Sequence, residues 1–168
     1  MLYQTIKKRF LLGIVNHILP GTRFFGAKRA LMRLAGYHIG EDTRVVGPVF
    51  CTGDLRIGEH CWIGRGLTVH GNGTVEIGDR CDLAPEVAFL TGGHAIGTEG
   101  RRAGTGQTYR ITVGSGVWIG ARATILGDVS VGSGAVIAAC ACVTNSVAEN
   151  TVAGGVPAKT LKTLPPLT

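Results

Sequence analysis

The sequence predicts an all-β chain wound as a parallel β-helix, and three observations predict it. From Val113 onward every sixth residue is aliphatic: Val113, Ile119, Ile125, Val131, Ile137 and Val143. The fifth place of each hexad is also apolar (Val117, Ala123, Val129, Ala135, Ala141 and Val147), whereas the third is small or polar (Ser115, Ala121, Gly127, Ser133, Ala139 and Asn145). A half-buried strand alternates at two and would make that third place apolar as well. Glycine often follows the aliphatic place, as at Gly40, Gly58, Gly64, Gly78, Gly114, Gly120 and Gly132, where a sharp corner calls for a residue that tolerates φ > 0. A fixed repeat of this kind marks a solenoid, whose aliphatic and small inward residues stack on those of the next coil.

The same register runs earlier through Ile39, Val45, Cys51, Ile57, Ile63, Val69 and Val75, slips by two residues, and resumes at Ile77, Leu83 and Phe89. Residues 39–74, 77–94 and 113–148 hold fifteen hexads. The expected organisation is an N-terminal basic helical segment (1–38), the β-helix (39–152) with a loop excursion at 91–110, and a C-terminal tail (153–168). In the first segment, one helix is expected from Tyr3 to Leu19, ended by Pro20-Gly21. A second is expected with Thr22 as N-cap, running to Ala35, with Gly36 as its stop. Its apolar stripe is read as Phe24, Ala27, Leu31 and Leu34, with Arg29 and Arg33 opposite. The tail leaves the repeat and is expected to be irregular with a short helix.

Composition narrows the function. The chain has 168 residues, enough for one domain with a substantial core. Its 27 glycines follow no period of three, and 45% apolar residues exclude a disordered chain. Five cysteines without a C-x-x-C pair suit reduced thiols, and Cys140 and Cys142 are read as small packing residues. Residues 1–40 carry seven bases and no acid; the rest carries ten bases against eleven acids. The basic balance therefore belongs to one end, and no nucleic-acid partner is expected. No apolar run is long enough to span a membrane. KKR followed by FLLGIV has the look of a secretory signal, but Asn16 and His17 interrupt it and no A-x-A site follows. The expected location is the cytoplasm. Residues 1–36 suit peripheral contact with the inner face of the plasma membrane, or a cap on the open end of the solenoid.

Around these repeats the chain resembles the hexapeptide-repeat acyltransferases. The segments EIGDRCDLAP (76–85), TGGHAIGTEGRRAGTGQTYR (91–110), ITVGSGVWIGARATILGDVSVGSGAVIAA (111–139) and GGVPAKTLK (154–162) carry the likeness and resemble those of the galactoside and maltose O-acetyltransferases and cell-surface polysaccharide O-acetyltransferases. The resemblance implies a left-handed parallel β-helix with three hexads per coil, hence about five coils, a homotrimer, and acetyl-CoA as acyl donor without a metal. It implies transfer in a ternary complex to a hydroxyl of a saccharide or glycolipid. His94, in the excursion, stands where relatives have their catalytic base, and a neutral imidazole can take the proton of a poorly nucleophilic hydroxyl. Backbone N–H groups would stabilise the oxyanion. Asp79, Glu76, Glu99 and a backbone carbonyl are all open as the acceptor that orients His94.

The resemblance also implies the acyl-donor residues: Trp118 lining the channel and facing outward, backbone groups of Ala121 and Ala139 on the pantetheine arm, Thr144 near the nucleotide, and Lys159 on its phosphates. Simple solvation is the other reading of Lys159. Many relatives read GAGS-x-VTK where this chain has AACACVTN (138–145), so Asn145 replaces a lysine and one phosphate contact is absent. In HGNG (70–73), Asn72 is the candidate for holding acceptor hydroxyls, against an ordinary Asn-Gly turn. Three other functions stand beside this one: a γ-class carbonic-anhydrase-like zinc enzyme using His60, His70 and His94, an N-acetyltransferase of amino sugars, and an inactive scaffold.

Overall fold

A computed structural model describes residues 2–19 and 21–165, with side chains from Thr5 onward. It is a parallel β-solenoid of triangular section, preceded by two helices. The first face stacks His38–Ile39, Asp54–Ile57, Thr74–Ile77, Arg110–Val113 and Ser130–Val131. The second stacks Arg44–Val45, Trp62–Ile63, Asp82–Leu83, Trp118–Ile119, Val136–Ile137 and Thr151–Gly155, and the third Val49–Cys51, Leu67–His70, Ala88–Leu90, Thr124–Leu126 and Cys142–Val143. Five coils are complete. A sixth begins where Val147 bridges Val131 and continues into Thr151–Gly155, so the solenoid is longer than the five coils expected.

The aliphatic places of the hexads are the core. Ile57 on the first face, Val45, Ile63 and Ile119 on the second, and Phe89 and Ile125 on the third are all fully buried. Each coil places its N–H and C=O groups on those of the next, so the spacing between coils leaves little room at the corners. A Cβ on Gly64 would lie 2.7 Å from the carbonyl oxygen of Leu83 in the coil above.

Coil length varies, and all of the variation falls on one edge. From first to second face the step is always six (Ile39 to Val45, Ile77 to Leu83, Val113 to Ile119), and likewise from second to third (Ile63 to Val69, Leu83 to Phe89, Ile119 to Ile125). From third back to first it is six from Cys51 to Ile57, eight from Val69 to Ile77, twenty-four from Phe89 to Val113, six from Ile125 to Val131 and four from Val143 to Val147. The two-residue slip read from the sequence is the second of these steps.

The excursion at 91–110 is not an irregular loop. Gly92–Ile96 and Ala103–Thr108 form an antiparallel hairpin standing off that edge, closed at its tip by Arg101 N–H on the Thr98 carbonyl. Nor is the tail helical: Ala158–Thr163 turns back antiparallel along Thr151–Gly155 and becomes the outermost strand of the second face.

The helices differ from expectation in detail. The first, α1, spans Leu2–Gly13 and continues through a wider π-helical turn, Ile14–Ile18, in which Leu19 N–H reaches the Ile14 carbonyl. Pro20 and the Tyr3 side chain lie outside the described residues. The second, α2, spans Phe25–Leu34 and is entered through Phe24 in a left-handed conformation (φ 57°), so Thr22 is not its N-cap; Gly36, at φ 96°, ends it as expected. The expected stripe is also wrong, because Phe24, Ala27 and Leu34 are exposed while Lys28 and Met32 are buried.

The reason lies in the open edge of the first coil, which offers unpaired carbonyls and not only apolar surface. Arg33 Nε donates to Ile39 O (2.7 Å), Arg29 to Thr43 O (3.3 Å), Lys28 Nζ to Val46 O (2.7 Å) and Gly21 O (2.5 Å), and Lys8 Nζ to Gly53 O (2.7 Å). Asn16 completes the set by pairing both backbone groups of Val49. The helix face turned toward the solenoid is thus chosen by its donors, and Arg29 and Arg33 lie toward the coil instead of away from it.

Candidate functional site

His94 sits on the first strand of the hairpin, opposite Gly106, just before a bulge that ends at Ile96. Its Nδ1 lies 2.9 Å from the carbonyl oxygen of Gly104. A carbonyl can only accept, so this contact requires a proton on Nδ1, and in that tautomer of the ring Nε2 is the nitrogen that carries the lone pair. Only glycine fits at 104, since a Cβ there would lie 2.9 Å from the Ala95 carbonyl oxygen and 3.1 Å from the Gly97 Cα. Of the orienting groups left open by the sequence, the backbone carbonyl is the one in contact. Asp79 instead accepts the Glu59 N–H (2.9 Å), Glu76 pairs with Arg110, and Glu99 is exposed near the hairpin tip.

Behind His94, the hairpin base is braced by a residue that sequence reasoning missed. The Tyr109 ring lies against Gly93, whose Cβ would fall 2.9 Å from Tyr109 Cε2, and its hydroxyl donates to Gln107 Oε1 (2.6 Å). Gln107 is the cross-strand neighbour of Gly93. No hexad covers this stretch, so the repeat gave no means of pairing the two strands.

Asn72 is exposed on the same edge, one coil below. The Gly73 N–H donates to Thr91 Oγ1, and a Cβ on Gly92 would lie 3.3 Å from the Gly71 Cα, so the hairpin rests on HGNG. Asn72 lines a cavity of about 510 Å³ between this edge and α1, together with Thr5, Lys8, Arg9 and Thr52.

The acyl-donor candidates fall on other parts of the prism. Trp118 points outward from the second face, 57% exposed, over a groove it shares with Trp62, Asp82, Ala84 and Pro85. Pro85 also borders a second groove, lined by Glu86, Ala121, Arg122, Ala139 and Cys140 at the corner between second and third faces. The side chains at Ala121 and Ala139 are minimal, and their amide N–H groups have no protein acceptor among the described residues. Two such amides one coil apart, in a groove floored by methyl groups, fit the alternating amides of a pantetheine arm. Arg122 and Glu86 close one side through a 2.7 Å ion pair. Cys140 is exposed on this groove (φ 60°), so it is not the packing residue expected, whereas Cys142 is half-buried.

Thr144 is exposed on the hairpin's edge, bonded by the Asn145 amide, and is not brought to the Ala121–Ala139 groove. Lys159 is exposed on the outermost strand opposite Gly154, which packs on the Ala138 methyl group next to that groove. Among the described residues no three His, Cys, Asp or Glu side chains form a metal-ligand group. His60 instead faces Asp42 at 3.7 Å, so the zinc reading has no ligand set.

Comparison with known proteins agrees with this architecture. Residues 110–145 match the bacterial transferase hexapeptide (six repeats) family. The galactoside O-acetyltransferase of Escherichia coli (strain K12) is 34% identical over 126 residues, covering 74% of this chain and 62% of that protein. A hexapeptide-repeat acetyltransferase of Vibrio cholerae, solved with acetyl coenzyme A, superposes with a TM-score of 0.85 at 26% identity over 97% of this chain and 88% of its own. A galactoside acetyltransferase in complex with coenzyme A gives 0.84 at 27% identity, over 97% and 82%. The chain is thus similar to hexapeptide-repeat acetyltransferases in sequence and in fold. It spans about three-fifths of the length of the first curated relatives it matches.

Proposed function

We propose that the protein is an acetyl-CoA-dependent O-acetyltransferase acting on a hydroxyl of a sugar or glycan, with His94 as general base. The observation that carries this reading is the His94–Gly104 contact, which orients the imidazole through Nδ1 and leaves Nε2 as the nitrogen free to take a proton. Nε2 takes the hydroxyl proton as that oxygen attacks the thioester carbonyl, and returns it to the sulfur as the C–S bond breaks. Ala121 and Ala139 hold the pantetheine arm through their amides, Trp118 covers it, and Lys159 meets the phosphates. Asn72 holds acceptor hydroxyls.

The working unit is a homotrimer. In one chain His94 leaves the edge between third and first faces, while the Ala121–Ala139 groove follows the edge between second and third. The hairpin stands off its own solenoid, with Ile96 89% exposed, so the groove it can serve is a neighbour's. Contact between copies completes the site.

The test is acetyl-CoA turnover with a panel of galactosides, maltosides and amino sugars, read as released thiol. His94→Ala is expected to lower the rate ~10²–10⁴-fold while calorimetric CoA affinity holds. Retained turnover removes His94 as the base. Turnover on amines alone favours the N-acetyltransferase reading, and no CoA binding at all favours a scaffold.

A further inference from the structure

Capping of the first coil accounts for only part of the basic N-terminal segment. Of its seven bases, Lys8, Lys28, Arg29 and Arg33 are occupied with carbonyls of Gly53, Val46, Thr43 and Ile39. Lys7, Arg9 and Arg23 have no hydrogen-bond or ion-pair partner among the described residues. The apolar residues of α1 divide in the same way. Leu12 and Val15 are buried against the solenoid, on the side that also carries Lys8 and Asn16. Ile6, Phe10 and Ile18 are 57%, 68% and 66% exposed.

These three form one row because of the π-helical turn. Ile6 and Phe10 are four apart and share a helix face. Continued α-helical winding would carry Ile18 well round from Phe10. The wider turn over Ile14–Ile18 rotates more slowly per residue, which keeps Val15 and Asn16 on the solenoid and brings Ile18 back to the outer side. The result is an outward apolar row beside Lys7 and Arg9, on a segment that contains no acid over residues 1–40.

We infer that this outer face of α1 is a docking surface for an anionic lipid bilayer, with Ile6, Phe10 and Ile18 entering the headgroup boundary and the flanking Lys7 and Arg9 meeting lipid phosphates. An exposed apolar row flanked by the unpaired Lys7 and Arg9, on a helix that is itself anchored to a rigid body, is what an interfacial helix requires. The charge complementarity selects an anionic surface over a neutral one. Contact is peripheral, since no helix among the described residues is long and apolar enough to cross a membrane. The inference is independent of the proposed chemistry.

The experiment is sedimentation of the full chain with vesicles of phosphatidylcholine alone and of phosphatidylcholine mixed with phosphatidylglycerol. The wild type is expected to pellet with the mixed vesicles only, and to be released by raised salt. Phe10→Asp should lose at least tenfold in vesicle affinity with unchanged thermal unfolding, because the side chain it replaces touches no core. Lys7→Gln/Arg9→Gln should weaken binding while leaving the apolar row intact. Equal pelleting of wild type and Phe10→Asp, or none by the wild type, overturns the inference. So does a wild type that ignores vesicles while Phe10→Asp lowers the mass measured by light scattering, which would make the face an interface between copies of the chain.

Discussion

Replacing Lys28 by methionine isolates the contact that seats α2 on the solenoid. Lys28 is fully buried, with its ammonium on Gly21 O and Val46 O and 5.6 Å from the centre of the Phe25 ring. Methionine keeps most of the aliphatic volume, so the cavity contribution is small. Two effects then oppose each other. Removing a buried ammonium relieves a desolvation penalty of several kcal/mol that the fold already carries. Against that, two charge-assisted hydrogen bonds of about 1.5–3 kcal/mol each are lost. Gly21 is exposed and its carbonyl can turn to water, but Val46 O loses its side-chain donor at ~1–3 kcal/mol. The last cost decides the sign. Lys28→Met should destabilise by about 1–3 kcal/mol, lowering Tm by roughly 2–12 °C at ~2–4 °C per kcal/mol for a chain of this size.

The pH dependence supplies an independent check. Burial lowers the Lys28 pKa from its ordinary value of 10.5. Between the lowered value and 10.5 the unfolded chain holds a proton that the folded chain has released, so wild-type stability rises with pH through that window. The neutral amine still has two N–H donors for its two carbonyls. The gap between wild type and Lys28→Met should therefore widen toward pH 10.5, measured by thermal or urea unfolding followed by circular dichroism. A variant as stable as the wild type, or a gap that narrows with rising pH, would refute the reasoning.

Ile119→Ala removes a fully buried side chain between Leu83 and Ile137, and chemical denaturation should report a loss of ~2–5 kcal/mol. Gly93→Ala drives a Cβ into the Tyr109 ring and should tilt the hairpin, lowering acetyl transfer about 10- to 100-fold with CoA affinity unchanged; adding Tyr109→Ala should restore much of the rate, and no restoration would separate Tyr109 from His94.

The hexads made the solenoid legible because an inward residue every six places is a direct record of packing within a coil. Every aliphatic place from Val113 to Val143 is buried. Trp118, off that register, faces out as its position required. What the period could not report is structure held by backbone pairing alone. The hairpin has no core of its own, so Gly104 beneath His94 left no pattern in the chain. The α2 helix was misread for a related reason: its inner face meets carbonyls, and a buried lysine looks polar in any apolar count. The candidate residues were named from sequence, but their separation between two edges of the prism was not legible there.

The confinement of every change in coil length to one edge has a consequence for how such a chain can diversify. Two corners are locked, since one added residue there would put each later aliphatic position out of line with its stack. The third has already accommodated steps of four, six, eight and twenty-four residues with the stack above and below undisturbed. It behaves as a splice point, where the His94 hairpin could be exchanged for a segment of another length and shape. A new projecting surface can thus be acquired on an unchanged scaffold, by insertion at a place where the core keeps no count.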